Sequence, residues 1–252
     1  MKLIWTYTSN VIFGNEMGKH TPERIRILIN YYIHSIQSAK NLGYYTIIYC
    51  DERSKYYFNN IVDEIITINS NEKSPLWDWV KIKVLEERND DFCLIDGDII
   101  LHSKLPKFTT DITFDSYEIN NFKHNYKSIL NDLTDMGISN EISIWQNIQL
   151  PIISCGLLNI KNKELKQNYI YNWKLYNEFI KPHIDKVDID CATMVGAQYL
   201  LSILALGLTH TKLSNLVGID NPYYKHHCGP VKYNNPIVPT NRIITDMKKM
   251  LF

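Results

Sequence analysis

Two aspartates one residue apart, Asp96 and Asp98, are the side chains of this sequence best suited to chemistry. They stand in Asp96-Gly97-Asp98, directly after the apolar run Phe92-Cys93-Leu94-Ile95 and directly before Ile99-Ile100-Leu101. A carboxylate is costly to desolvate unless it is paired or bound to a metal, so two of them at the mouth of a buried strand ask for a cation. On an extended segment residues i and i+2 point to the same side, which lets both carboxylates converge on one ion. Gly97 between them has no side chain to block a ligand. Oxygen donors of this kind suit Mg2+ or Mn2+, and such an ion suits a diphosphate. Short acidic triplets also make surface turns; the apolar flanks weigh against that alternative. A further donor set lies in His226-His227-Cys228-Gly229-Pro230-Val231-Lys232. A neutral imidazole completes an oxygen-rich Mn2+ site, Gly229 lets the backbone approach a phosphate, and Lys232 neutralises one. The alternative here is a polar loop whose two histidines have no role.

The elements that must position these groups follow from pattern. Residues 3–8 predict a first strand. Helical spacing over 22–41 predicts a long helix with Thr21 as N-cap, Pro22 at the first position and Gly43 beyond its end. Ile25, Leu28, Tyr32, Ile36 and Ala39 would line its buried face. Residues 45–50 predict a second strand, 61–68 contain a third, 75–87 predict a helix, and 92–101 predict the strand that carries the acidic pair. Residues 112–114 and 151–160 are strand-like, 163–179 and 192–206 helical, and a closing helix begins near Thr240. The stretch 116–150, polar and poorly periodic, with Gly137 and Asn140 as breakers, reads as a variable excursion outside the core. Strands alternating with helices predict an α/β fold with parallel strands near the N-terminus. Ligands of open α/β sheets bind outside the carboxyl ends of the strands, where Asn10, Asp51 and Asp96 fall.

Composition narrows the function classes. The 252 residues suit one large domain, and 45% hydrophobic with 21% charged residues is ordinary for a globular chain. Lys+Arg and Asp+Glu are both 27, which excludes the basic footprint of a nucleic-acid binder. Five scattered cysteines show neither zinc spacing nor a closed disulfide framework, so a reducing, cytoplasmic setting is expected. Met1 to Tyr7 turns polar too soon for a signal peptide, and no apolar stretch is long enough for a membrane span. A homo-oligomer remains open.

Asp96-Gly97-Asp98 resembles the DxD motif of nucleotide-sugar glycosyltransferases with the GT-A fold. The spacing His226, Gly229, Lys232 resembles the closing H-x-x-G-x-x-K motif of their retaining, glycogenin- and galactosyltransferase-like group (the glycosyltransferase family 8-like enzymes). Cys155-Gly156-Leu157-Leu158-Asn159-Ile160 is similar to the strand that borders donor sugar and acceptor in that group. Gln198 in Gly196-Ala197-Gln198-Tyr199 resembles the glutamine that faces the sugar. The sequence departs from the pattern at Ser154, where the group has Asn, at Ala197, where it has an acidic residue, and at Tyr233, where Pro-Trp follows the lysine.

The resemblance implies a GT-A, Rossmann-like sheet, central, mixed and mostly parallel, flanked by helices. It implies one domain over 1–252, with a nucleotide-binding half in 1–101 and an acceptor-binding half with the closing tail in 102–252. It implies a hexosyltransferase that moves a sugar from a nucleoside diphosphate, UDP above all, to the hydroxyl of a glycan, glycolipid or protein. Asp96, Asp98 and His226 would hold Mn2+ or Mg2+, with Gly97 between the two aspartates. Thr6, Tyr7, Thr8, Asn10 and Asp51 would cradle base and ribose. Lys81, Gly229 and Lys232 would meet the diphosphate. Gln198 would face the sugar, and Asp190 or Asp188 would supply the carboxylate that Ala197 lacks. Should the outcome be inversion, a carboxylate within 111–118 or Asp190 would be the base. Two other classes stay open: a sugar-phosphate nucleotidyltransferase, though residues 9–16 lack its glycine-rich basic loop, and a noncatalytic binding module of the same fold.

Overall fold

The structure, a computed structural model, describes residues 1–8, 22–69, 74–118, 123–148, 150–214 and 221–227. The elements begin with β1 (Lys2–Tyr7), α1 (Pro22–Asn41), β2 (Tyr45–Asp51), α2 (Lys55–Phe58) and β3 (Glu64–Ile68). There follow α3 (Trp79–Glu87), β4 (Phe92–Ile95), β5 (Ile99–Leu101), β6 (Ile112–Phe114) and α4 (Lys123–Asp135). The rest are β7 (Leu157–Ile160), α5 (Lys163–Ile180), α6 (Ile189–Met194), α7 (Leu200–Leu204), β8 (His210–Lys212) and β9 (Tyr224–His226). Seven strands belong to a mixed, mostly parallel sheet with flanking helices, as expected, while β5 and β9 form a separate pair.

The chain divides into two compact units, neither continuous in sequence. The first comprises Met1–Asn69, Ile95–Pro106 and Gly218–Phe252. In it β1 pairs parallel with β2 and β2 with β3, which requires the α1 crossover that the sequence predicts. Helix α1 has the predicted bounds, and Gly43 just beyond it takes a φ of 80°, a left-handed conformation that favours glycine. Its buried face includes Ile25, Ile36 and Ala39 as predicted and extends beyond them. Ile29, Tyr31, Ile33 and Ser35 are buried, whereas Leu28 and Tyr32 are only half-buried. The helix packs on both β2 and β5, so it buries a wider arc than one stripe.

The second unit comprises Ser70–Leu94 and Lys107–Val217. Here β6 pairs antiparallel with β7 and parallel with β8. The segment 116–150 is a correction to the sequence reading. It contains α4 and a 3-10 turn at Ile138–Asn140, and it buries Tyr126, Ile129, Leu130, Leu133 and Ile142. The spacing i, i+3, i+4, i+7 from Tyr126 to Leu133 is helical, and its polar neighbours masked it. The helix expected over 192–206 is instead three pieces, α6, a π-helical turn at Val195–Tyr199, and α7. The closing helix near Thr240 lies outside the described residues. Cys50, Cys93, Cys155 and Cys191 are free thiols. Among the described residues no helix is long and apolar enough to cross a membrane.

Asp78, just before α3, is a buried acid: the indole Nε1 of Trp173 donates to its Oδ2 at 3.0 Å. Burial raises its pKa to about 7, against smaller lowering effects of the Trp173 bond and of Lys81. An unfolded Asp titrates near 3.9, so between these values the folded chain keeps a proton that the unfolded chain has lost. The resulting stabilisation is full below about pH 4 and is lost as pH rises through about 7. Asp78→Asn keeps an acceptor for Trp173 and removes the titration. Urea unfolding at about pH 5 and about pH 7.5 is expected to show the wild type losing more stability than Asp78→Asn, with a slope difference of about 1 kcal/mol per pH unit.

Candidate functional site

Asp96-Gly97-Asp98 does not continue a strand. The expected single strand over 92–101 is split into β4 and β5, and the triplet is the turn between them, closed by Ile99 N–H donating to the Asp96 carbonyl at 3.2 Å. Asp at the start of a turn and Gly within it are common choices, so the sequence itself breaks the strand here. The carboxylates therefore converge through a turn and not through the side-to-side alternation of an extended chain.

Three contacts set this turn. The Tyr32 ring from α1 lies against Gly97, so that a Cβ at Gly97 would come within 2.2 Å of a ring carbon. The Tyr32 hydroxyl donates to the Thr6 carbonyl at 2.9 Å, tying the turn's neighbour to β1. Its pKa is driven well above the usual value by burial, then by the charges of Asp96 and Asp98, so it remains a donor. Ser35 Oγ accepts from Trp5 Nε1 at 2.9 Å and donates to the Ile99 carbonyl at 2.5 Å.

His226 arrives on β9, not on a loop. The antiparallel register sets Ile99 opposite His226, and His227 N–H donates to the Asp98 carbonyl at 2.9 Å. His226 Nε2 stands 3.4 Å from Asp98 Oδ1. One ligand atom each from Asp96, Asp98 and His226 lie within 4.8 Å of one another, with His226 buried and the aspartates half-buried. Ligands at about 2.1–2.2 Å from one ion stand up to about 4.4 Å apart, so small side-chain adjustments suffice to meet on a cation. Two carboxylates and one imidazole form a donor set that fits Mn2+ or Mg2+.

The other expected residues of the first unit sit at strand ends. Tyr7 is 6% exposed and packs edge-on against Tyr32 and Phe58, with ring centroids 5.0 and 5.3 Å away. Thr8 follows it, buried, and its hydroxyl has no hydrogen-bond partner among the described residues. Tyr7 pairs in register with Cys50, so Thr8 and Asp51 come next on neighbouring strands. Asp51 Oδ1 accepts from Ser54 N–H at 2.8 Å, the turn-capping alternative for an acid at that place. Asn10, Gly229 and Lys232 lie outside the described residues.

In the second unit Lys81 Nζ donates to the Cys155 carbonyl at 3.2 Å. Asp188 caps α6 by accepting from Cys191 N–H at 2.8 Å, and Asp190 is exposed in that helix's first turn. Gln198 is in the π-helical turn, its amide bonded to Tyr126 and to Glu118. Of the aromatic residues in 116–150, Tyr126 and Trp145 are buried, and Tyr126 acts through its hydroxyl. Tyr117 is half-buried and Phe122 is outside the described residues. The part of Tyr32 was missed, since a single sequence does not show which ring a glycine must clear.

No family model matches the chain, and no curated protein matches it. Solved structures do. One is the galactosyltransferase LgtC in complex with donor and acceptor sugar analogs, at 12% identity over 78% of this chain and 70% of that one, TM-score 0.43. Another is mouse xyloside xylosyltransferase 1, apo form, at 11% identity over 77% and 80%, TM-score 0.41. A third is the inositol-1-phosphate CTP transferase from T. maritima, at 10% identity over 82% and 97%, TM-score 0.38. These likenesses concern the fold alone, and no residue's role follows from them.

Gly97→Ala is expected to lower stability by about 1–3 kcal/mol, because the methyl must displace the Tyr32 ring. In a double-mutant cycle with Tyr32→Ala the two losses should be clearly less than additive, measured as urea midpoints at constant m-value.

Proposed function

We propose that this chain is a metal-dependent glycosyltransferase of GT-A type that moves a sugar from a UDP-sugar to an acceptor hydroxyl, with retention. The observation that carries the proposal is the meeting of Asp96, Asp98 and His226, distant in sequence, with their ligand atoms within 4.8 Å of one another. A structural turn needs no imidazole from another strand, whereas a cation holding a diphosphate does gain from a third ligand. The spacing of His226, Gly229 and Lys232 supports the same reading from the sequence.

Asp96, Asp98 and His226 would hold Mn2+ or Mg2+, which when bound neutralises charge on the leaving diphosphate. The chain's own part is positional. Tyr32 and the β5–β9 pair keep the three ligands in place before any nucleotide arrives. Thr6, Tyr7, Thr8, Asn10 and Asp51 take base and ribose in this proposal, and the buried Thr8 hydroxyl, which has no partner among the described residues, suits a polar ligand at the end of β1. Lys81, Gly229 and Lys232 are assigned to the diphosphate, Gln198 and Asp190 to the sugar. The proposal includes a single working domain, with the nucleotide half in 1–101 and the acceptor half in 102–252. The acceptor is a glycan, glycolipid or protein hydroxyl, and the setting is the cytoplasm.

Calorimetry with UDP tests this directly. UDP binding is expected to strengthen on adding Mn2+, and Asp98→Ala and the shape-keeping Asp98→Asn should each weaken it by more than about tenfold. Binding that ignores Mn2+, or no binding at all, would overturn the proposal. A panel of nucleotide sugars, followed by Mn2+-dependent release of nucleoside diphosphate, identifies the donor; release of pyrophosphate from a nucleoside triphosphate would indicate a nucleotidyltransferase instead.

A further inference from the structure

The second unit contains a polar trio that the metal centre does not use. Gln198 stands in the π-helical turn Val195–Tyr199, and such turns recur where a helix presents a side chain for function. The turn is wedged in place. A Cβ on Gly196 would come within 2.9 Å of the Tyr176 ring, and the Ala197 carbonyl accepts from both Tyr169 Oη at 2.8 Å and Cys155 Sγ at 3.4 Å. Little freedom remains for the backbone that carries Gln198.

Its side chain is held as firmly. The Tyr126 hydroxyl donates to Gln198 Oε1, and Gln198 Nε2 donates to Glu118 Oε1 at 3.1 Å. A carboxylate only accepts, so Glu118 draws the NH2 end of the amide and leaves the carbonyl for Tyr126. A flipped amide would set oxygen against oxygen at Glu118. Burial, then the charge of Glu118, raises the Tyr126 pKa well above its usual value, which keeps that phenol a donor. Tyr126 is buried, while Gln198 and Glu118 are half-buried, so the anchor is dry and the amide and carboxylate are reachable. The two bonds use one N–H and one carbonyl lone pair of Gln198; an amide offers a second of each.

A donor N–H of fixed direction beside an acceptor-only carboxylate matches adjacent ring hydroxyls, each of which can donate and accept. We propose that Glu118 binds a hexose hydroxyl alongside Gln198, and that Tyr126 is a positioning residue that fixes the direction of the Gln198 amide. The ligand class rests on the glycosyltransferase reading above. A fixed amide distinguishes epimers, since inverting one hydroxyl exchanges a matched contact for a mismatched one.

The test is calorimetry on the full chain with Mn2+ and, in turn, UDP, UDP-glucose and UDP-galactose, for wild type, Glu118→Gln and Tyr126→Phe. Both variants are expected to bind UDP within about twofold of wild type. Glu118→Gln should weaken the preferred UDP-hexose by about tenfold relative to UDP, and Tyr126→Phe should bring the epimer ratio toward one. The subsite is overturned, with the nucleotide reading intact, if wild type binds UDP but gains nothing from either hexose, or if both variants keep wild-type hexose affinity and epimer ratio. UDP and hexose affinities falling together, with a lower melting temperature, would mark a merely structural role and also overturn it. A wild type that binds no UDP with Mn2+ overturns the glycosyltransferase reading, and the subsite with it.

Discussion

Holding two carboxylates close together, partly out of water, is the constraint around which the first unit is arranged. Asp96 and Asp98 repel each other, and desolvation makes each charge dearer. The turn that carries them is kept in one shape from several directions. The Tyr32 ring occupies the space beside Gly97, Ser35 takes the Ile99 carbonyl, and Ser38 Oγ accepts from Leu101 N–H at 3.0 Å. On the other side β9 pairs with β5 and brings His226 to Asp98. Each of these contacts limits the relaxation by which two like charges would otherwise move apart.

The second unit solves a different problem, the placement of one neutral amide. It does so with hydrogen bonds and packing. The π-helical turn releases carbonyl groups from the regular ladder, and Tyr169, Tyr176 and Cys155 take up carbonyls at Ala197 and Ala192. Aromatic rings of α5 crowd Gly196, so the turn has no room to relax into an ordinary helix with a larger residue there. Buried Asp78, bonded to Trp173 of the same helix, adds a group whose neutrality depends on pH. The same rings serve as core and as hydrogen-bond donors, which accounts for part of the aromatic load of the composition.

Much of the scaffold was legible along the chain. Helix α1 matches its predicted bounds, and β1, β2, β3 and β6 lie where apolar runs and turn residues placed them. Local pattern suffices for these because each is a regular element with clear bounding turn residues. The misreadings have separate causes. The strand expected over 92–101 breaks at Asp96-Gly97-Asp98, where turn chemistry overrides an apolar context. The stretch 116–150 was set aside as polar although Tyr126, Ile129, Leu130 and Leu133 keep helical spacing, because charged and amide residues dilute the average. The long helix over 192–206 hides a π turn, which depends on contacts with α5 rather than on propensity.

The sequence by itself determined the chemical inventory: paired acids in an apolar setting, a histidine, glycine and lysine at fixed spacing, and a chain with balanced charge that alternates strands with helices. Those are properties of residue type and spacing, and they are local. The tertiary structure decided which of these residues meet. It set His226 opposite Ile99, put Tyr32 against Gly97, and brought Glu118 and Tyr126 to the two ends of the Gln198 amide. Such contacts are fixed by strand register and by packing between elements far apart in the chain, and spacing along a single sequence carries no record of them.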